Sequence, residues 1–122
     1  MQWYLLWYHC SRDQYKMALT KSFNETVKSR LQGNAKFRRA LLREAVGAMI
    51  AGDVETGKSL LRKYINGTVG FVTLGEELDR SPKTLMRMLS QTGNPQAKGL
   101  FEIVAYLQKI EGTMLQVVDK AA

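Results

Sequence analysis

Apolar residues recur every three or four positions from Ser22 onward, which is the spacing of amphipathic α-helices. The first three helical segments each end at a glycine, a residue typical of helix ends. Three shorter segments with the same spacing follow, at 71–79, 82–90 and 96–110. No alternation of strands with helices is visible, so the pattern predicts an all-α fold. The tail 113–118 is rich in β-forming residues and predicts one short edge strand.

Three polar residues stand where helix N-caps are expected. Asn34 and Asp53 precede the second and third segments, and Ser81 precedes the fifth. Side chains of this type accept a hydrogen bond from a free backbone N–H of the first helical turn. Pro82 gives up a backbone donor that would be unpaired at this position anyway. We therefore expect helices to begin directly after Asn34, Asp53 and Ser81.

The composition of this chain of 122 residues excludes several kinds of functional site. The single cysteine, Cys10, excludes a disulfide framework and a cysteine-rich metal site. The single histidine, His9, has no second histidine with which to build a metal site. We therefore expect no metal and no cofactor. The formal net charge of +7 favours a polyanionic partner.

The charge is distributed unevenly along the chain. Residues 17–66 hold ten Lys and Arg against four Asp and Glu, whereas residues 67–97 hold three of each. In the second stretch the acids come first, and no acid lies between Ser81 and Lys98. The acid-free segment is a candidate for binding phosphate groups, with a solvated helix face as the simpler interpretation.

Between Leu74 and Met88 the small and apolar residues have the spacing of a helix-turn-helix. The positions concerned are Leu74, Gly75, Leu78, Leu85 and Met88. Gly75 lets the second helix cross close to the first, and the four apolar side chains hold the crossing. The second helix carries short and basic side chains opposite its apolar face, as a recognition helix needs in order to reach base edges.

This segment resembles a known family. The residues Leu74-Gly-Glu-Glu-Leu-Asp-Arg-Ser-Pro-Lys-Thr-Leu-Met-Arg-Met-Leu-Ser90, the loop Gly93-Asn-Pro95 and the helix at 100–107 look like the lambda-repressor-like helix-turn-helix domain. More narrowly, they are similar to the addiction-module antidote (antitoxin) group of small bacterial transcriptional regulators. Residues 44–65 resemble the leader helices of that group, and 114–117 its short terminal strand.

The resemblance covers residues 34–118 and carries expectations about function. It implies a lambda-repressor-like helix-turn-helix bundle with N-terminal leader helices and a short C-terminal strand. It also implies a cytoplasmic, non-enzymatic protein that binds a double-stranded DNA operator as a homodimer. Many members of the group have a cognate toxin encoded beside them.

The match also assigns individual residues. The positions that face bases in the family are occupied here by Pro82, Lys83 and Arg87. The positions that hold phosphates are occupied by Ser81, Thr84, Asn94 and Gln96. Lys98, at the start of the closing helix, is expected to contact only the DNA backbone because it lies close to the 93–94 loop.

Two residues depart from the family pattern in the turn. Asp79 stands where the family usually has glycine, and aspartate tolerates a left-handed backbone better than most residues. Arg80 stands where the family has an apolar residue. A guanidinium is not accepted at a buried position, so Arg80 is expected to extend outward or to loosen the packing of the turn.

We divide the chain into four parts. Residues 1–16 hold both tryptophans and are interpreted as an upstream extension without structure, with an aromatic membrane-surface anchor as the alternative. The segment 17–66 is expected to form N-terminal helices that provide a dimer or partner surface. The segment 67–112 is the DNA-binding unit, and 113–122 is a tail or short strand.

A second motif points to a different function. Gly52-Asp-Val-Glu-Thr-Gly-Lys-Ser59 matches the G-x-x-x-x-G-K-[ST] pattern of phosphate-binding P-loops. A P-loop needs a strand before it and a parallel sheet around it, whereas the preceding segment 40–51 has helical spacing.

Nucleotide binding is therefore the least favoured of three hypotheses about function. The leading one is a DNA-binding regulator, and the second is a protein-interaction module that binds a toxin or other partner through the basic helices of residues 34–66.

Overall fold

The computed structural model describes the backbone of residues 21–121 and the side chains of residues 25–121. Our interpretation of residues 1–16, with His9 and Cys10, lies outside the described residues. The described part forms six helices and no strand, which confirms the all-α prediction. They are α1 (Lys21–Gly33), α2 (Ala35–Ile50), α3 (Val54–Gly67), α4 (Phe71–Leu78), α5 (Pro82–Met88) and α6 (Ala97–Glu111). None of them is long and apolar enough to cross a membrane.

The three expected N-caps are confirmed. Asn34 Oδ1 accepts a hydrogen bond from the Phe37 N–H at 3.1 Å, and Asp53 Oδ1 accepts one from the Thr56 N–H at 3.1 Å. Ser81 caps α5 in the same way, and Pro82 occupies its first turn. These local hydrogen bonds fix where α2, α3 and α5 begin.

One hydrophobic cluster joins the N-terminal helices to the rest of the described chain. Its fully buried members include Leu42 of α2, Leu61 of α3, Leu85 of α5 and Ile103 of α6. The helices α2 and α3 approach closely at Gly57, where a Cβ atom would lie 2.9 Å from the Ala45 carbonyl oxygen. Because both parts share this core, the position of α5 depends on residues far away in the sequence.

A polar network joins the ends of four helices beside this core. Glu111, the last residue of α6, accepts hydrogen bonds from Tyr64 of α3 and Arg38 of α2. Arg38 also donates through Nη1 to the carbonyl oxygen of Leu31, near the end of α1, at 2.9 Å. The network therefore ties the end of α6 to the N-terminal helices.

The expected strand at 113–118 is wrong for the described chain. Gly112 ends α6 in a left-handed conformation (φ 70), and the chain beyond it has no regular secondary structure. The Leu115 N–H donates to Gln108 Oε1 at 2.7 Å, and Leu115 packs on the core. Residues 114–121 form no backbone–backbone hydrogen bond within the described chain. A strand needs a neighbouring backbone to pair with, and the described residues provide none here.

Candidate nucleic-acid interface

The helices α4 and α5 are joined by three residues, 79–81. Asp79 has a left-handed backbone (φ 55) and is the one non-glycine residue with positive φ in the described chain. The Arg80 N–H then donates to the Gly75 carbonyl oxygen at 2.9 Å, which closes the end of α4. The expectation that Asp79 tolerates a left-handed backbone is confirmed.

The turn folds back tightly on α4 at Gly75. A Cβ atom there would lie 2.5 Å from the Arg80 carbonyl oxygen and 3.5 Å from the Pro82 ring. Contacts of that length with a backbone atom do not occur for real side chains, so the absence of a side chain permits the crossing. The predicted role of Gly75 is confirmed.

Arg80 extends outward from the turn, as expected. Its side chain is half-exposed, and Nη2 donates to Glu102 Oε2 of α6 at 3.2 Å. A basic residue is tolerated at this position because α6 supplies a carboxylate at the protein surface. The pair also places the turn beside the first half of α6.

The two faces of α5 differ sharply. Leu85 and the following Leu89 are buried in the core, whereas Lys83 and Arg87 are exposed one helical turn apart. Met86 lies between them in sequence and is 46% exposed. The outward surface of α5 is therefore formed by two basic side chains and one apolar side chain.

The basic side chains of this surface are unpaired within the described residues. Arg38, Lys58 and Arg80 form ion pairs, whereas Lys83 and Arg87 do not. Cations that hold no acidic partner are available for an external anion.

Polar groups cluster at the N-terminal end of α5. The Thr84 N–H donates to Ser81 Oγ at 3.1 Å, and the two hydroxyl oxygens lie 2.7 Å apart. Ser81 is exposed, and both Pro82 and Thr84 are half-buried. In the hydrogen bond between the two hydroxyls only one proton is used, so the other remains available to an outside acceptor.

The remaining expected site residues follow α5 in the chain. Asn94, Gln96 and Lys98 are all exposed, and Gln96 precedes α6 without capping it. A Cβ atom on Gly99 would lie 2.8 Å from Met88 Cε and 3.7 Å from the Arg80 guanidinium. The first turn of α6, which includes Lys98, therefore lies against α5 and the turn before it.

The sequence motif Gly52–Ser59 does not have the surroundings of a P-loop. Its first two residues belong to the connection between α2 and α3, where Asp53 is the N-cap of α3, and the other six lie within α3. Lys58 is 2% exposed, and its Nζ donates to two backbone carbonyl oxygens, those of Ser90 and Gly93. Its three donors are occupied within the protein once the ion pair with Glu55 is included.

Two residues of interest were missed by sequence reasoning. The exposure of Met86 follows from helical periodicity once Leu85 and Leu89 are placed in the core, so a signal existed. The two carbonyl groups that bind Lys58 lie 32 and 35 residues further along the chain. No local sequence pattern predicts a contact between residues that are so far apart in the chain.

Residues 25–121 contain no group of three or more His, Cys, Asp and Glu side chains that could hold a metal ion. Comparisons of the chain with models of protein families, with curated proteins and with solved structures found no match.

Proposed function

We propose that this protein is a sequence-specific DNA-binding transcriptional regulator, an antitoxin-type repressor of its own operon, with a lambda-repressor-like helix-turn-helix formed by α4, residues 79–81 and α5. The observation that carries the proposal is a pair of exposed cations, Lys83 and Arg87, which form no ion pair with the described residues and lie on a short helix whose other face is buried. Such a helix presents its side chains outward from a fixed support, as major-groove recognition requires.

Base contacts are assigned to the outward face of α5. The planar guanidinium of Arg87 matches the two acceptors on the major-groove edge of guanine, and Lys83 offers donors one turn earlier. Pro82 begins the helix beside them. Met86 provides an apolar surface of the kind that contacts a thymine methyl group.

Phosphate contacts are assigned to the polar groups that surround α5. Ser81 and Thr84 supply hydroxyl groups at its start, whereas Asn94, Gln96 and Lys98 follow its end. Contacts of this kind fix the register of a protein on DNA without reading sequence. The function requires no catalytic residue and no cofactor.

A homodimer is part of the proposal, because one short recognition helix reads few base pairs and two half-sites are needed. The tail is a self-complementary candidate for the interface. Antiparallel pairing with a second copy about Gln116 places Met114 opposite Val118 and Leu115 opposite Val117. Three of these side chains are 73–84% exposed in the single chain, and residues 113–118 carry no charge. Such a pairing would provide the neighbouring strand that the single chain lacks.

A second candidate function is a protein-interaction module that binds a toxin or another partner without specific DNA recognition. It is favoured by the basic side chains of α2, where Lys36, Arg39 and Arg43 are exposed and form no ion pair with the described residues. Their spacing of three and four residues places them on one face of the helix.

Selection from a random pool of double-stranded DNA by the full-length protein tests the proposal. We expect an enriched sequence with two related half-sites, about 34 Å or a multiple of that apart. Arg87→Ala should abolish enrichment at one base pair of each half-site. Arg43→Ala, which removes an exposed arginine from α2, is the matched control. It should enrich the same DNA sequence as the wild-type protein does. Absence of enrichment with wild-type protein would leave the interaction module as the better hypothesis.

A further inference from the structure

The charged side chain of Lys58 is almost completely buried in the described part of the chain, at 2% exposure. Burial of an ammonium group is costly unless each of its donors is paired. Nζ donates to the carbonyl oxygen of Gly93 at 2.7 Å and to that of Ser90 at 2.9 Å, and it lies 2.9 Å from Glu55 Oε1. The group is therefore fully satisfied, and two of its three partners are backbone atoms.

Both carbonyl groups belong to the segment that directly follows α5. Because Lys58 lies on α3, its ammonium group connects an N-terminal helix to the end of the proposed recognition helix. The P-loop-like Gly-Lys-Ser sequence thus contains the side chain that holds this loop.

The loop held by Lys58 is folded directly onto the end of α5. Gly93 lies so close to the carbonyl oxygen of Arg87 that a Cβ atom there would overlap it, and it would lie 3.0 Å from that of Met88. Ser90 Oγ donates to the same Arg87 carbonyl at 2.7 Å and accepts from the Gly93 N–H at 3.0 Å. A displacement of this loop is therefore transmitted to the backbone of Arg87.

The helix α5 has only seven residues, and a helix this short is not stable by itself. Its position therefore depends on contacts with the rest of the protein. Its start is capped by Ser81, and its middle is anchored by Leu85. We propose that Lys58 is the positioning residue for its other end, so that the orientation of Arg87 depends on an ammonium group supplied by α3. This inference rests on the proposed function, since it assigns Lys58 a part in sequence discrimination by α5.

Lys58→Met tests the proposal, because methionine fills a similar volume and donates no hydrogen bond. Amide hydrogen exchange is measured by NMR in the full-length protein. We expect exchange at Leu89, Ser90 and Gly93 to accelerate at least about tenfold, since two charge-assisted hydrogen bonds are lost. Exchange at Leu61, within the packed part of α3, should change much less. The matched control is Lys28→Met, which removes an exposed lysine of α1 and should leave all these amides unchanged.

The same variants are then compared for DNA binding, with the site enriched by wild-type protein and with random DNA of equal length. Lys58→Met should lose about tenfold in preference for the enriched site and little in affinity for random DNA, because the lost charge is buried. Unchanged exchange at residues 89–93, or unchanged preference despite faster exchange, would overturn the inference. If wild-type protein enriches no site, the proposed function fails, whereas the exchange result still reports whether Lys58 holds the end of α5.

Gly93→Ala perturbs the same loop without altering Lys58. If Lys58→Met fails to fold, this second variant tests whether the loop controls the end of α5. Its methyl group would meet the Arg87 carbonyl, so the loop must move. We expect faster exchange at Leu89 and Ser90, together with weaker preference for the enriched site. Gly33→Ala is its control, because the added methyl group meets no described atom within 4 Å. A Gly93→Ala protein with wild-type exchange and wild-type preference would contradict the inference.

Discussion

The Tyr64 hydroxyl donates a hydrogen bond of 2.5 Å to a carboxylate oxygen of Glu111, 47 residues further along the chain. The same oxygen accepts from Arg38 Nε at 2.9 Å, and the Glu111 side chain is only 6% exposed. Burial alone would raise the pKa of Glu111, but the hydrogen bonds from Arg38 and Tyr64 outweigh it and hold that pKa below its ordinary value. The pKa of Tyr64 is raised, mainly because the hydroxyl is buried and also because it donates a hydrogen bond to Glu111.

The lowered pKa of Glu111 predicts a loss of stability in acid. The unfolded chain takes up a proton at Glu111 near the ordinary pKa of about 4.3, whereas the folded chain does so only at lower pH. The contribution of Glu111 is therefore complete above about pH 5 and is lost as the pH falls through the folded pKa. Urea unfolding between pH 7 and pH 3 should show a flatter pH dependence for Glu111→Gln than for wild type. Glu77→Gln, at an exposed position of α4, should follow the wild-type curve; equal slopes for all three proteins would refute the prediction.

Gly75→Ala should destabilise the protein by about 1–3 kcal/mol, because its methyl group meets the Arg80 backbone and forces the turn to move. Gly33→Ala is the matched substitution at the end of α1, where a Cβ atom meets no described atom within 4 Å. It should be neutral or stabilising by up to about 1 kcal/mol. Thermal and urea unfolding monitored by circular dichroism measure both changes. Equal stabilities for the two variants would show that the turn is free to adjust.

Arg87→Ala and Lys98→Ala should weaken DNA binding in different ways. Loss of Arg87 should cost about 1–3 kcal/mol on the enriched site and much less on random DNA, since it removes a base contact. Loss of Lys98 should weaken both by a similar factor and reduce the salt dependence of binding by about one unit. Fluorescence anisotropy titrations at several salt concentrations measure both effects. If Arg87→Ala weakens both DNAs equally, α5 does not read sequence.

Val117→Asp should convert a dimer to a monomer, because it places two carboxylates in the apolar surface of the paired tails. Val72→Asp makes the same change at an exposed valine of α4 and should leave the dimer intact. Sedimentation equilibrium of the free proteins gives the masses. A wild-type monomer, both free and on DNA, would remove the dimer from the proposed function. A dimer that survives Val117→Asp would place the interface elsewhere, with the basic helices as the next candidate.

Local rules were sufficient to predict the helices and several details of the turn. Asn34, Asp53 and Ser81 cap as predicted because capping involves atoms only three residues apart. Asp79 adopts the expected left-handed backbone for a similarly local reason. The expected strand at 113–118 failed because β-propensity describes a side chain on a sheet, and a strand also needs a partner that the sequence does not specify.

The sequence by itself therefore determined where the chain is helical, where the helices start and which face of α5 is apolar. These properties depend on contacts within one or two helical turns. Only the tertiary structure decided which basic side chains are held by partners within the protein and which are not. Arg38 binds Glu111, Lys58 binds the backbone after α5, and Arg80 binds Glu102, whereas Lys83 and Arg87 form no ion pair with any described residue. The difference arises because each of the contacts to Glu111, Ser90, Gly93 and Glu102 joins residues at least 22 positions apart, and no local pattern encodes such pairs.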